Sequence, residues 1–328
     1  MQVLLVTNMY PTPEKPAFGT FVKDQVESLR RAGVGVDVLF IDGRMSRLNY
    51  VGGIFRFWWK LLRKRYDFIH AHYLHSGLIA RFQFTLPVIT TYHGAEVTDH
   101  SPGWIRWAAL HGRRFFKRII VVSRPEKERI LGTDPESKVV VIPCGVNLAV
   151  FRPMPVAEAR SRLGLPAQRP LVLWAGEYWQ YEKRFELVEE SMTLLKEINP
   201  EAELILVADK PHEIIPVYMN ACDVLLLTSR SEGSPMVIKE AMACNLPIVS
   251  TDVGDVAEVI GDTEGCFLAE PDAKELADKL HQILQSRRRT DGREKIQHMG
   301  AGPIARRLIA VYNELCPPDR RMEIADRG

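Results

Sequence analysis

Short apolar segments alternate with amphipathic segments along most of the chain. Residues 19–33 place Val22, Val26 and Leu29 at helical spacing, which predicts a helix that stops at Gly33. Short runs rich in Val and Ile lie on either side, and this alternation is typical of βαβ units with a mainly parallel sheet. The strands predicted in this half are 3–7, 36–41, 67–73, 87–93, 118–123 and 138–143.

The alternation stops over a proline-rich segment, 147–170, and then begins again. The second half predicts strands at 171–176, 202–208, 223–229, 246–251 and 265–270, and helices at 184–198, 213–221, 235–244 and 273–286. This pattern predicts an α/β fold of two Rossmann-like domains that face a central cleft. We place the N-terminal domain at 1–149 and the second domain at 150–302. Residues 303–328 are expected to form a helix that packs back on the first domain, followed by a frayed tail.

Composition restricts the class of protein. The chain has 328 residues, 46% of them hydrophobic and 26% charged, which suits two globular domains and excludes a disordered chain. Five cysteines without a CxxC pair predict reduced, packed thiols in a cytoplasmic protein. The N-terminal apolar run lacks a basic region before it, so it predicts a first strand rather than a signal peptide. No apolar stretch reaches the roughly 18 residues that span a bilayer.

Charge is divided unevenly along the chain. Residues 1–150 carry 21 basic and 12 acidic residues, a net charge of +9, whereas the remainder carries 22 basic and 29 acidic residues, a net charge of −7. Such a division suggests that the first half faces something anionic. Nucleic acid, an acidic membrane surface and a phosphate-bearing substrate are all candidates at this point.

The segment SEGSPMVIKEAMACNLPIVSTDVGD, residues 231–255, carries the most specific chemical pattern. Glu232 and Glu240 bracket seven residues around a Gly-Ser-Pro turn. A helix that begins near Pro235 directs unpaired N–H groups at a ligand and favours a phosphate or diphosphate. A carboxylate further along the helix suits ribose hydroxyls. Spacing alone leaves an alternative open, in which Glu232 only complements the helix dipole and Glu240 is a surface charge.

This segment resembles the E-x7-E region of the family-4 retaining glycosyltransferases, which have the two-domain GT-B fold. Four other segments resemble elements of that family in the same order: GTFVKDQVESLRRAG its first loop and helix, TTYHGAEV its His-Gly element, VIPCGVNLAVFRP its interdomain segment, and AGEYWQYEKRF its phosphate-loop strand. The resemblance implies transfer of a hexosyl or N-acetylhexosaminyl group from a nucleotide-diphosphate sugar, with a UDP-sugar favoured. It also implies a glycan or lipid-linked acceptor and no essential metal ion or other cofactor.

The resemblance assigns roles in the second half of the chain. Glu232 would contact hydroxyls of the transferred sugar, and Glu240 would bind the ribose. Lys183 would grip the diphosphate, with Arg184 beside it. The backbone that would surround the diphosphate belongs to Gly233, Ser234, Pro235, Met236 and Val237.

The first half supplies the remaining candidates. Gly19 and Thr20 would form a loop against the donor, and His93 would contact the donor sugar near the reaction centre. The catalytic set is therefore predicted to be Glu232, His93 and Lys183. The chain departs from the family at Glu177, where an arginine is usual, which puts a clamp of two cations in doubt unless Arg184 compensates.

Other functions are separated by sequence features. An NAD-dependent oxidoreductase would show G-x-G-x-x-G after the first strand, where this chain has NMYPTPEKPAFGT. No known nucleic-acid-binding motif is present. A nucleotide-sugar epimerase, a phosphorylase and a non-enzymatic sugar-binding relative, all of the same fold, remain alternatives.

Two basic and aromatic stretches, 52–68 and 104–118, have two interpretations. Basic residues with Trp and Phe suit an interfacial helix on anionic lipid, which would place the protein peripherally on the inner face of a membrane, in polysaccharide assembly. The alternative is an ordinary helix layer with its aromatic residues in the core and its cations in solvent.

Overall fold

The computed structural model describes residues 1–46, 48–96, 101–131, 138–208 and 210–322. Val97 of the TTYHGAEV segment and the last six residues of the predicted tail lie outside these ranges. Two compact units divide the chain. Unit 1 contains residues 1–13, 18–145 and 301–328, and unit 2 contains residues 14–17 and 146–300.

Strands and helices alternate through both units. The strands are β1 (Gln2–Thr7), β2 (Gly35–Phe40), β3 (Phe68–His72), β4 (Val88–Tyr92), β5 (Arg118–Val121), β6 (Val139–Val141), β7 (Leu171–Ala175), β8 (Glu203–Val207), β9 (Val224–Leu227), β10 (Ile248–Thr251) and β11 (Cys266–Ala269). The helices are α1 (Thr20–Arg31), α2 (Leu48–Arg63), α3 (Leu74–Ala80), α4 (Gly103–His111), α5 (Arg124–Leu131), α6 (Val156–Leu163), α7 (Phe185–Ile198), α8 (Ile215–Ala221), α9 (Met236–Ala243), α10 (Val256–Ile260), α11 (Ala273–Ser286), α12 (Gly292–Lys295) and α13 (Ala301–Asn313).

Unit 1 is built on a parallel sheet with the strand order β2-β1-β3-β4-β5-β6. Val3 in β1 pairs with Val36 in β2 on one side and with Phe68 in β3 on the other. Successive side chains of β1 enter different cores, because strand residues point alternately to the two faces of a sheet. One core contains residues of α1 and α13, and the other contains residues of α2, α3 and α4.

Unit 2 repeats this plan with the order β11-β10-β9-β7-β8, again with parallel pairing. Leu173 in β7 pairs with Ile205 in β8 and with Leu225 in β9. Leu171 and Leu173 enter the core that includes α9, whereas alternate residues of β7 enter the core of α7 and α11. The central strands of both units are therefore apolar and buried on both faces, as expected for parallel sheets, whereas the edge strands β2, β8 and β11 are only partly buried.

The strand orders place one switch point in each sheet. In unit 2, β7 lies between β8 and β9, so the chain runs outward in opposite directions from β7 and β9. Ligands of such sheets bind beyond the carboxyl ends of the strands at this point. The loop after β7 contains Lys183, and the loop after β9 contains Glu232. These two loops are therefore the expected place for a site.

Two further features concern the cysteines and the length of the helices. All five cysteines are unpaired thiols, and four of them are buried. None of the helices in the described part of the chain is long and apolar enough to cross a bilayer.

A buried ion pair in unit 2 gives a test of the fold. Arg160 in α6 is 4% exposed, and its Nη2 lies 2.9 Å from Oδ2 of Asp223. We expect Arg160→Met to lower the free energy of unfolding by about 3 kcal/mol in urea denaturation, because Asp223, whose side chain is only 16% exposed, loses its cation. Arg162→Met is the matched control on the same helix. Arg162 pairs with Glu158 in solvent, so its loss is worth less than about 1 kcal/mol. Equal effects of the two substitutions would contradict this description.

Candidate active site

An ion pair joins the two loops at the switch point of unit 2. Lys183 lies in a short 3-10 turn, Tyr181–Lys183, and its Nζ is 2.6 Å from Oε1 of Glu232. The Ser229 hydroxyl donates a hydrogen bond of 2.8 Å to the same oxygen. Both charged side chains are about one-fifth exposed, at 22% and 18%, so they are shielded but still reachable from solvent. Two residues that the sequence assigned to separate roles therefore form one charge pair.

Backbone contacts fix the relative position of the two loops. The Thr228 hydroxyl donates to the carbonyl oxygen of Lys183 at 2.9 Å, and the N–H of Arg230 donates to the carbonyl of Glu182 at 2.7 Å. Thr251 at the end of β10 donates its hydroxyl to the Ser229 carbonyl at 2.8 Å. The loop that carries Lys183 is thus held to the end of β9, which is in turn held to the end of β10, so the ion pair does not depend on its two side chains alone.

Arg184 lies between this pair and helix α7. Its backbone is left-handed, with φ 49°, and it precedes the first residue of α7. Burial, together with the neighbouring Arg230, lowers the pKa of its guanidinium. Its Nε is buried and has no hydrogen-bond partner among the described residues. An anion at this place would satisfy both the charge and the donor.

The turn between the two glutamates ends where α9 begins. The helix begins at Met236, one residue after the predicted start, and Pro235 is the residue before it. The first turn of α9 carries no acidic residue. Its unpaired N–H groups and the positive end of its dipole are therefore not compensated by a carboxylate of that turn.

A buried network below the turn was missed in the sequence analysis. Lys239 is fully buried, contacts the Ser234 hydroxyl, and lies 3.4 Å from Oδ2 of Asp255. Ser234 donates to the same Asp255 oxygen at 2.6 Å. Gly254 has φ 59°, and a Cβ there would lie 2.6 Å from the Gly233 carbonyl oxygen. A lysine within the apolar run MVIKEAMA was the available signal for this network.

Glu240 is buried rather than a surface charge. It is 8% exposed, and its Oε1 lies 3.4 Å from Nε2 of His212. The alternative that made Glu240 a solvent-exposed residue is therefore wrong. His212 stands before α8 in a 3-10 turn, and no sequence pattern pointed to it. The pair offers a carboxylate and an imidazole side by side, which suits recognition of neighbouring hydroxyls.

In unit 1, His93 directly follows β4 in a cluster of aromatic side chains. Its Nε2 lies 3.0 Å from Nδ1 of His72, and its ring centre is 5.1 Å from that of Phe21. Burial holds the pKa of His93 well below its usual value and lowers that of His72 to about 3. Both imidazoles are therefore neutral at neutral pH, able to donate one hydrogen bond and accept another.

The first loop of unit 1 requires glycine at one position. Gly19 has φ 71° and precedes Thr20, the first residue of α1. A Cβ at Gly19 would lie 2.6 Å from the backbone carbon of Met9, which no side chain could tolerate without movement of the loop. The predicted residues thus fall into a unit 1 set, with His93, and a unit 2 set around Lys183.

Two buried carboxylates hold the His93–Gly94 backbone. Glu96 accepts the N–H of His93 at 3.1 Å, and Glu126 accepts the N–H of Gly94 at 3.0 Å. Burial raises the pKa of Glu96 to about 7. It also raises that of Glu126, where the charge of Glu96 adds to the effect.

Within the described ranges, no group of three or more His, Cys, Asp or Glu side chains is arranged to hold a metal ion.

The raised pKa of Glu96 predicts a pH dependence of stability. Its usual pKa is 4.5 and its pKa in the fold is about 7, so the folded protein binds more protons than the unfolded chain between these values. We expect the free energy of unfolding to fall as pH rises from about 4.5 to 7, by up to about 3 kcal/mol from this group.

Denaturant titrations of Glu96→Gln should show a shallower fall over the same interval, since glutamine does not titrate. Glu128→Gln, an exposed position on the same helix as Glu126, should keep the wild-type slope. An unchanged slope in Glu96→Gln would refute the role given to this carboxyl group.

Comparison with protein families agrees with the geometry. A family described as "Glycosyltransferase Family 4" matches residues 1–150, and one described as "Glycosyl transferases group 1" matches residues 189–300. One relative is the teichuronic acid biosynthesis glycosyltransferase TuaC of Bacillus subtilis, itself named as putative. It is 25% identical to this chain over an alignment 356 residues long, gaps included, which spans 85% of this chain and 88% of TuaC.

Solved structures show the same fold. Sucrose-phosphate synthase from Thermosynechococcus elongatus superposes with a TM-score of 0.80 at 23% identity, over 96% of this chain and 99% of that one. HepE of Anabaena, in complex with UDP, superposes with a TM-score of 0.73 at 17% identity, over 96% of this chain and all of HepE. The predicted α/β class with two Rossmann-like domains is confirmed. The chain belongs to the family-4 glycosyltransferases of the GT-B fold.

Proposed function

We propose that this glycosyltransferase moves a hexosyl or N-acetylhexosaminyl group from a UDP-sugar to a hydroxyl of a glycan or lipid-linked acceptor, with retention of configuration. The observation that carries the proposal is the Lys183–Glu232 pair, which lies at the switch point of unit 2. A uridine donor is supported by HepE, which has been crystallised with UDP and with UDP-glucose.

The diphosphate of the donor is assigned to the cationic side of this site. Lys183, Arg184 and the backbone from Gly233 to Val237 at the beginning of α9 would surround it. As the bond between the anomeric carbon and the diphosphate breaks, negative charge grows on the departing oxygen. Fixed N–H groups and cations stabilise that charge without rearrangement, which lowers the barrier. The unpaired Nε of Arg184 would gain its partner in the same complex.

The sugar and the ribose are assigned to the two carboxylates. Glu232, already within reach of Lys183, would accept hydrogen bonds from sugar hydroxyls and orient the anomeric carbon. Glu240, with His212, would accept the ribose hydroxyls. The acceptor oxygen would attack from the face that the diphosphate leaves, and its proton would pass to a diphosphate oxygen. In this scheme no protein nucleophile is needed.

The residues of unit 1 complete the proposal. His93 is assigned to the transferred sugar, where a neutral imidazole donates one hydrogen bond without adding charge. Gly19 and Thr20 are assigned to the donor loop, since the tight backbone at Gly19 excludes a side chain.

One observation favours a second candidate, a sugar-binding relative without transferase activity or an epimerase. Glu177 stands where the family has a cation, and its carboxylate accepts a hydrogen bond from the Gln180 amide. An epimerase would convert a UDP-sugar without an acceptor, and a binding protein would leave it unchanged. Incubation with UDP-sugar, with and without a hydroxyl acceptor, followed by chromatography of the nucleotide sugars, separates the three.

Substitutions at the ion pair should separate nucleotide binding from transfer. We expect Lys183→Met to weaken UDP binding about ten- to hundredfold in calorimetry, because a charge-assisted contact worth about 1.5–3 kcal/mol is lost. Glu232→Gln should bind UDP as well as wild type or more tightly, since UDP lacks the sugar and Lys183 loses its internal partner. Its turnover should fall by at least about a hundredfold.

Glu190→Gln, an exposed glutamate on α7, serves as the control and should change neither quantity. Wild-type UDP affinity in Lys183→Met would remove the diphosphate assignment. Full turnover in Glu232→Gln would remove the sugar assignment.

Metal independence is a separate expectation. If Lys183, Arg184 and the amino end of α9 balance the diphosphate charge, then transfer measured by UDP release should be unchanged by EDTA. A loss of activity that Mg²⁺ or Mn²⁺ restores would show that a divalent cation supplies part of this charge instead.

A further inference from the structure

We propose that the outer face of helices α2 and α4 in unit 1 binds an anionic lipid bilayer. The proposal concerns where the protein acts, and it does not depend on the donor chemistry assigned to unit 2.

Helix α2 carries two apolar stripes, and only one of them packs against the rest of unit 1. Phe57 is fully buried and, with the partly buried Ile54 and Leu61, packs against the sheet of unit 1. The second stripe lies in solvent, with Phe55 72% and Leu62 80% exposed. A helix that only covers a sheet needs one apolar stripe and a polar outer face.

The exposed stripe has helical spacing along the whole length of α2. At 3.6 residues per turn its members share an arc of about 80° around the helix axis, so they form one continuous stripe. They are Leu48, Val51, Phe55, Trp59 and Leu62. Scattered apolar side chains are normal on protein surfaces, but an ordered stripe of this length indicates a partner.

Basic residues flank the exposed stripe of α2. Arg56, Lys60 and Arg63 lie along one side of it, and the Arg63 guanidinium stacks 3.8 Å from the ring centre of Trp59. The sequence contains no Asp or Glu between Asp42 and Asp67. The partner must therefore present negative charge next to an apolar interior, which is the profile of an acidic membrane surface.

Helix α4 extends the same face. Residues of α2 and α4 share one core on one side of the sheet. A chain of rings links the two helices, since Tyr50 stacks on His75 at 6.0 Å and His75 meets the edge of Trp104 at 5.6 Å. Trp104 and Trp107 of α4 are 58% and 63% exposed. The segment that contains α4 also lacks acidic residues, since the sequence has no Asp or Glu from residue 100 to residue 125.

Composition favours lipid over a protein partner. Tryptophan with lysine and arginine is typical of the membrane interface, where rings enter the acyl boundary and long basic side chains reach the headgroups. Protein interfaces share the enrichment in Trp, Phe and Arg but are depleted of lysine. The long runs without Asp or Glu over both helices are what favours an anionic lipid surface. Each basic residue near an anionic surface contributes about 1 kcal/mol. The outer face of α2 and α4 would thus lie along the bilayer surface, and this binding would bring unit 1 close to a lipid-linked acceptor.

Vesicle co-sedimentation tests the proposal with the full chain. We expect wild-type protein to bind vesicles of phosphatidylglycerol and phosphatidylcholine at low salt and to bind pure phosphatidylcholine vesicles far more weakly. The triple variant Phe55→Ser, Trp59→Ser, Leu62→Ser should lower partitioning by more than about tenfold. The triple variant Arg56→Gln, Lys60→Gln, Arg63→Gln should remove most of the preference for the anionic lipid.

The matched control removes exposed apolar side chains from unit 2, by Ile198→Ser and Leu206→Ser, and should leave partitioning unchanged. All variants should keep wild-type UDP affinity and melting temperature, which separates this test from that of the donor site.

Failure of wild-type protein to bind anionic vesicles at low salt would overturn the proposal. So would an equal loss in the control. Concentration-dependent dimers that the serine variant abolishes, without vesicle binding, would assign the face to a second copy of the chain instead.

Discussion

The candidate site of unit 2 depends on a charge pair between Lys183 and Glu232, two residues that lie 49 positions apart in the sequence. They meet because β7 and β9 are neighbours in a parallel sheet, and parallel strands end at the same edge. A partly shielded cation and carboxylate at 2.6 Å neutralise each other. A molecule with an anionic part and a hydroxyl-bearing part can take over both groups at once, which is the chemical description of a sugar diphosphate.

The surroundings of this pair limit its freedom. Thr228 and Ser229 bind the two loops to each other, and the buried Lys239 holds Ser234 and Asp255 below the turn. The amino end of α9 therefore stays fixed where a diphosphate would be bound. Preorganisation of this kind is what electrostatic stabilisation of a leaving group requires, because donors that must first move lose part of their effect.

The fold was predictable because its central strands are buried on both faces, so that runs such as VLLV (3–6) and VLLL (224–227) are apolar at every position. The resemblance singled out Lys183 and Glu232 as candidates, but it did not predict the contact between them, since strand order cannot be read from local sequence. His212 beside Glu240 has no local signal for the same reason. The orientation of α2 was equally hidden: Phe57 faces the core and Trp59 faces solvent, and only the packing of the helix decides which aromatic residue does which.

The most direct measurement of the central claim is a crystal structure of the protein with a non-hydrolysable UDP-sugar analogue. The account predicts that Lys183 Nζ lies within hydrogen-bond distance of a diphosphate oxygen. It also predicts that a Glu232 carboxylate oxygen accepts a hydrogen bond from a sugar hydroxyl, with the ribose on Glu240. A complex in which the diphosphate binds elsewhere and neither Lys183 nor Glu232 touches the ligand would contradict it.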